Sequence, residues 1–357
     1  MPTGPRNPTP AAGAASASAG GVSYAWPVTW RSVNRVLLVA GTLVVVATGA
    51  GCGGLDGDDV AAPVQLATPE DFPKPAGRSI SELRDKLGGG GPMLVPAVSQ
   101  FEPGPNRFGF GLFDRARSQI ADAPVGIYVA PEGGGPAHGP FVARYESLEV
   151  KPQFQSRSVS SDPDAARSLY VARLELPEAG RYDVLGVARL DDRLVTATSA
   201  STGLTVNANG AVPQIGDRAP SIDTPTAAEV GGDLKRIDTR QPPSSMHDVN
   251  FEDVVGREPV VLLFATPELC QSRVCGPVVD VAEQVKASHG GEVRFVHQEI
   301  YNDNEVDKGF RPQVLSWKLP TEPWAFAVDR SGKVAARLEG AFSASELERA
   351  VAAALRP

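Results

Sequence analysis

Hydrophobic and polar positions divide the chain into five stretches of different period. Residues 1–30 are rich in Pro, Ala, Ser and Gly and show no apolar period, which predicts disorder. Between 31 and 52, Arg31 and Arg35 precede an unbroken apolar run at 36–47, apart from Gly41 and Thr42. Residues 53–100 return to Pro and Gly and predict a tether, with one short helix at 79–87 that Ser79 caps and Glu82 supports. From 101 to 207 the period falls to two. Alternating runs at 108–113, 125–130, 141–148, 169–176, 182–188, 194–198 and 203–206 predict strands, separated by turn residues at 131–136, 177–180 and 191–192. From 208 onward the pattern mixes. The continuous apolar run 260–265 predicts a strand buried on both faces. Val274, Val278, Val281, Ala282 and Val285 recur at helical spacing, and Gly290 and Gly291 end that helix. Strands at 293–296, 324–328 and 333–338 and a helix at 345–355 complete the series.

Composition narrows the possibilities. A length of 357 residues is about two domains' worth. The net charge is −8 and no lysine or arginine cluster forms a phosphate-binding stripe, which argues against nucleic acid as a partner. Only three cysteines occur, Cys52, Cys270 and Cys275, a scarcity that fits an exported chain and gives the odd one a separate task. Positive charge followed by a short apolar run has the physical form of a secretion signal. The run is shorter than the roughly 20 residues that span a bilayer. It ends in Gly49-Ala50-Gly51-Cys52, which resembles a bacterial lipobox. That resemblance implies acylation of Cys52 and a membrane-held lipoprotein. The alternative is an uncleaved signal anchor with its arginines inside. Either way the bulk of the chain is expected on the extracytoplasmic face of the cell membrane.

The strand-rich stretch 101–207 is expected to form an immunoglobulin-like β-sandwich that acts as a spacer or partner-binding module. It offers no metal cluster or nucleophile constellation in sequence, and His138 falls in a Gly/Pro loop.

Residues 208–357 carry the chemistry. Gly216-Asp217-Arg218-Ala219-Pro220 resembles the opening of extracytoplasmic thioredoxin-like families. The order strand, dithiol, helix, strand, helix, proline, hairpin, helix is similar to that of thioredoxins. Glu322-Pro323-Trp324 and the following Asp329-Arg330-Ser331-Gly332 turn resemble the phrase these families carry at their cis-proline strand. The resemblance implies an α/β thioredoxin-like domain with a redox-active Cys270/Cys275 pair and no cofactor. It further implies a cis Pro323 facing the pair, and substrate pairing with the backbone at Glu322 and Pro323. Pro320 is a second candidate for the cis position.

The cysteine spacing departs from the two intervening residues of thioredoxins; here there are four. Positions five apart on one regular helix have Cα atoms roughly 8.6 Å apart, beyond the roughly 7 Å limit for a disulfide. Cys270 must therefore lie in the loop before the helix, or the first turn must unwind on oxidation. A helix N-terminus stabilises a thiolate, and Arg273 is expected to add to this. Cys270 is taken as the nucleophile and Cys275 as the resolving residue, although Cys275-Gly276-Pro277 also reads as the first half of a Cys-Gly-Pro-Cys motif. Two helpers are missing: Leu269 stands where a tryptophan is usual, and the preceding strand has no acid.

The expected function is thiol–disulfide exchange on exported protein thiols. Two alternatives stay open: a non-catalytic binding module with a structural disulfide, and a Sco-type copper protein. The latter needs the cysteine pair plus a histidine, His297 or His247. Peroxide reduction lacks its Pro-x-x-x-Thr-x-x-Cys arrangement.

Overall fold

The computed structural model describes residues 67–199 and 203–356. The expected disordered N-terminus, the apolar segment with Cys52, and residues 53–66 lie outside the described residues. Among the described residues no helix is long and apolar enough to cross a membrane.

Ser79 caps α1 (Ile80–Leu87) through the Glu82 N–H, and the Glu82 carboxylate returns to the Ser79 N–H. Residues 67–100, expected within a tether, are instead part of the folded body. Phe72, Ile80 and Leu83 are buried against Tyr128, Leu185 and Val187, because this segment has its own apolar face. Its last part is a strand, β1 (Met93–Pro96). There follow β2 (Gly104–Phe113), β3 (Val125–Pro131), β4 (His138–Ser147), α2 (Arg157–Ser160), β5 (Ser168–Leu176), β6 (Gly180–Leu190), β7 (Arg193–Ser199) and β8 (Leu204–Val206).

These strands form one sheet in the order β3-β4-β5-β2-β1-β7-β6-β8, and an added β3–β6 pairing closes it into a barrel. This corrects the two-sheet immunoglobulin-like expectation. β1 supplies the reason, pairing antiparallel with β2 and parallel with β7 and so joining edges that would otherwise belong to separate sheets. Phe108, Phe110 and Tyr170 stack in sequence through the interior, with ring centroids 5.2 and 5.5 Å apart, and Phe101 packs tilted on Phe108 at 6.1 Å.

The second part contains α3 (Phe251–Val254), β9 (Val260–Phe264), α4 (Cys275–Ser288), β10 (Arg294–Gln298), α5 (Pro312–Ser316), β11 (Trp324–Val328), β12 (Val334–Glu339) and α6 (Ala344–Ala354). The sheet order is β10-β9-β11-β12, with β9–β10 parallel and β11 antiparallel to both neighbours. Together with the helix after β9, this is a thioredoxin-like arrangement. All five residues of β9 are buried, and they alternate between two cores. Val261 and Leu263 pack with α4 and α6, while Val260, Leu262 and Phe264 face Trp317 and Phe251.

The barrel and the thioredoxin-like part are docked through charges. Arg107 on β2 makes two bonds to the Glu346 carboxylate, at 2.8 and 2.7 Å, and donates to the Glu339 and Ala341 carbonyls. The Glu339 carboxylate accepts the N–H groups of Ser99 and Gln100. Gly340, in the left-handed region at φ 69°, sits so close to the Ala97 carbonyl that a Cβ there would collide with it. The β4–β5 connection crosses onto α4: Ser156 donates to Asp280, and Val159 lies against Gly276.

Candidate functional site

β9 delivers the chain to a short loop whose geometry sets the site. Cys270 lies in this loop, outside regular helix, and Cys275 is the first residue of α4. The helix therefore does not hold the two sulfurs apart. The loop turns through Arg273, which takes a positive φ of 59° and donates its N–H to the Cys270 carbonyl at 3.3 Å. Both cysteines are free thiols and both are buried, Cys270 at 6% exposure and Cys275 at 0%.

Their electrostatics diverge. The Cys275 thiol donates to Cys270 and, against burial, stabilises its thiolate. The Ser272 hydroxyl at 3.2 Å and the N–H groups of Cys275 and Val274 add to that, so the Cys270 pKa is pushed down to about 6. Those two N–H groups belong to the start of α4, where the unsatisfied donors of a helix collect. Burial and the neighbouring Cys270 push Cys275 well above the usual thiol range. One thiol is thus ionised near neutral pH and the other holds its proton.

Two further groups act on the pair. Burial, and then the charge of Cys270, raise the Glu322 carboxyl, while a hydrogen bond from Tyr301 opposes the rise. Tyr301 is itself raised, by burial and then by Glu322 and both cysteines. Glu322 precedes Pro323 across a cis peptide bond, and the Pro323 carbonyl accepts the Gly340 N–H at 2.9 Å. Tyr301 was missed in sequence. It follows β10 in a polar run and pairs with Phe310 through an isolated bridge, and neither feature has a pattern. Glu322, just before β11, is the carboxyl whose charge reaches Cys275.

Other expected residues fall elsewhere. Arg273 turns away from the thiol to Asp162 of the barrel at 2.8 Å and is not a source of the lowered Cys270 pKa. Gln241, in the largely irregular segment 208–250, bonds the Glu268 side chain, and Thr239 accepts the Glu268 N–H, so this segment buttresses the dithiol loop. His297 and His247 do not join the cysteines. The His297 Nε2 donates to the Ala265 carbonyl at 3.0 Å, and its Nδ1 faces Asp238 at 3.3 Å. His247 Nε2 faces the same carboxylate at 3.0 Å. The only grouping of metal-ligating side chains among the described residues is Asp238, His247 and His297, without sulfur. The Sco-type ligand set is therefore not assembled.

No protein-family profile matches the chain, and no curated protein matches it. Two solved structures from Chlorobium tepidum align with part of it. One is assigned as a thiol:disulfide interchange protein DsbE, 20% identical, with the alignment covering 40% of this chain and 99% of that one at a TM-score of 0.30. The other is a thiol:disulfide interchange protein of the thioredoxin family from strain TLS, 16% identical over the same shares, at a TM-score of 0.29. The thioredoxin-like arrangement stands on this chain's own strand order and on the placement of its dithiol.

Proposed function

We propose that this protein carries out thiol–disulfide exchange, with Cys270 as the attacking thiolate and Cys275 as the resolving residue. One observation carries the reading: the two thiols are driven in opposite directions, Cys270 down to about 6 and Cys275 well up. An inert pair has no need of such a split. An attacking thiol works best with its pKa near the ambient pH.

The Cys270 thiolate attacks one sulfur of a substrate disulfide. That S–S bond breaks, and the leaving thiolate takes a proton from water. Cys275 then loses its proton to Glu322, whose raised pKa suits it to hold one, and attacks the Cys270 sulfur. The second substrate thiolate leaves, the substrate is reduced, and Cys270 and Cys275 are joined. The reverse sequence oxidises a dithiol. The Glu322 N–H and carbonyl, beside this pair, are the backbone groups we assign to an extended substrate segment.

The setting we propose is the extracytoplasmic face of the cell membrane, with exported protein thiols as substrates. Support comes from Arg31 and Arg35 ahead of the apolar run and from Cys52 after Gly51, which give either a lipid anchor or an uncleaved signal anchor. Membrane fractionation with Cys52→Ser tests this: release from membranes, or an uncleaved precursor, is expected. A soluble cytoplasmic protein would overturn the compartment.

Alkylation rate against pH tests the chemistry. In Cys275→Ser, Cys270 should still react with a midpoint well below the ordinary thiol value and should trap mixed disulfides. In Cys270→Ser, Cys275 should react only in strong alkali. Two thiols of ordinary pKa, with no trapped adduct, would remove the proposal.

A further inference from the structure

Residues 208–250 run about forty positions with one short 3₁₀ turn at Leu234–Arg236 as their regular structure. A few buried side chains fix this segment, among them Val212, Ile222, Ile237 and Met246. Buried polar anchors add to these: Arg240 pairs with Asp280, and the Thr224 N–H donates to Asn250. Two more buried polar residues of the segment, Asp238 and His247, each 2% exposed, meet His297 of β10 at 1% exposure.

We infer that Asp238, His247 and His297 form a buried site for a divalent transition-metal ion of the zinc class, with the fourth position left to water, clipping the 208–250 segment onto β10. Four observations support it. The donor atoms converge: Asp238 Oδ2 lies 3.0 Å from His247 Nε2 and 3.3 Å from His297 Nδ1, and all three lie within 4.8 Å of one another. Ligands sharing one zinc at ordinary bond lengths stand about 2.9 to 3.4 Å apart. The two Asp–His spacings already match, and the two ring nitrogens, within 4.8 Å of each other, need to draw together by up to about 1.4 Å.

Next, the His297 tautomer is set. Its Nε2 must donate, because the Ala265 carbonyl can only accept, and this directs Nδ1 at the carboxylate. A ligating histidine is normally oriented by such a bond from its other nitrogen to a backbone carbonyl. Third, the carboxylate is itself held in place. Asp238 Oδ1 accepts the Arg240 N–H at 2.8 Å, and Oδ2 accepts the Ser244 N–H at 2.6 Å. Last, the His247 ring is turned the same way: its buried Nδ1 makes no hydrogen bond of good geometry but has the Pro225 carbonyl as its neighbour, which leaves Nε2 to the carboxylate. The donor set of two imidazoles and one carboxylate suits zinc and leaves one coordination position for water.

The clip would reach the dithiol. Ala265, which orients His297, leads into the cysteine loop, and Thr239, next to Asp238, accepts the Glu268 N–H at 3.2 Å. The inference does not depend on the exchange reaction, and its test removes both thiols.

Full-length Cys270→Ser/Cys275→Ser protein, stripped with chelator, is dialysed against zinc chloride and its metal content measured. One zinc per chain is expected, and His247→Gln in the same background should weaken binding by at least about 100-fold. Cobalt(II) gives a second readout: visible bands of a four-coordinate nitrogen–oxygen site, without sulfur charge transfer, are expected in the parent and absent from Asp238→Asn. Circular dichroism checks that each variant folds. With zinc, hydrogen exchange should slow across 224–250. Failure of the folded parent to take up zinc, or zinc binding that survives both substitutions, would overturn the site.

Discussion

The barrel and the thioredoxin-like part bury different things. The barrel interior is aromatic and aliphatic, with Phe108, Phe110 and Leu112 at 0% exposure, and its buried acid, Glu146, sits at the docking face bonded to Ser343. The thioredoxin-like part buries Asp238, Arg240, His247, Asp280, His297 and Glu299, together with both thiols. Burying charge costs several kcal/mol per ion unless partners offset it, and here they are supplied. Arg240 pairs with Asp280 at 2.8 Å, and Asp238 meets two imidazoles. Burial alone would raise Asp238, but His297 and His247 hold it well below the usual carboxylate range. With no metal bound, Asp238 in turn lifts His297 against its burial, to about 9, so a metal ion must displace that proton. Under the exchange reaction proposed above, the chemistry falls to the part that buries charge.

The sharpest way to break this contrast is to remove one thiol. Cys270→Ser should reduce exchange to the uncatalysed background, a loss on the order of 10³-fold or more, as measured by disulfide reduction with an excess of model substrate. A residual rate within tenfold of the parent would move the chemistry away from this loop. Phe110→Ala in the barrel core should cost about 3–5 kcal/mol of stability in denaturant unfolding. It should leave the pH profile of Cys270 alkylation in place, and a displaced profile would show that the barrel tunes the site.

Glu322→Gln should slow resolution of the mixed disulfide by about 100-fold, while Cys270 still attacks at its normal rate in single-turnover mixing. Equal slowing of both steps would reduce Glu322 to a packing residue. Arg273→Ala should have the smallest effect, below about 1 kcal/mol, because its pair with Asp162 is partly exposed. The alkylation midpoint of Cys270 should not move.

Period-two alternation marked seven of the eight barrel strands, and apolar runs with helical spacing marked β9, α4, β10, β11, β12 and α6. β1 escaped because four residues, set off from a tetraglycine by Pro92 and ending in Pro96, are too short to show a period. Without β1, closure of the sheet could not be read, since pairing partners leave no mark in a strand's own pattern. Cys270, Cys275, Glu322 and Pro323 were legible from spacing and resemblance. Tyr301 and Asp238 were not, because each reaches its partners from an irregular segment whose path the sequence does not encode as a repeat.

β1 also governs how the barrel can assemble. Its parallel partner register, Met93 with Thr198, joins positions about a hundred residues apart. Local hairpins such as β6–β7 can form as soon as both strands exist, but this pairing must wait for nearly the whole barrel sequence and pay the entropy of a long loop first. During synthesis the early strand stays unpaired on one side until β7 emerges.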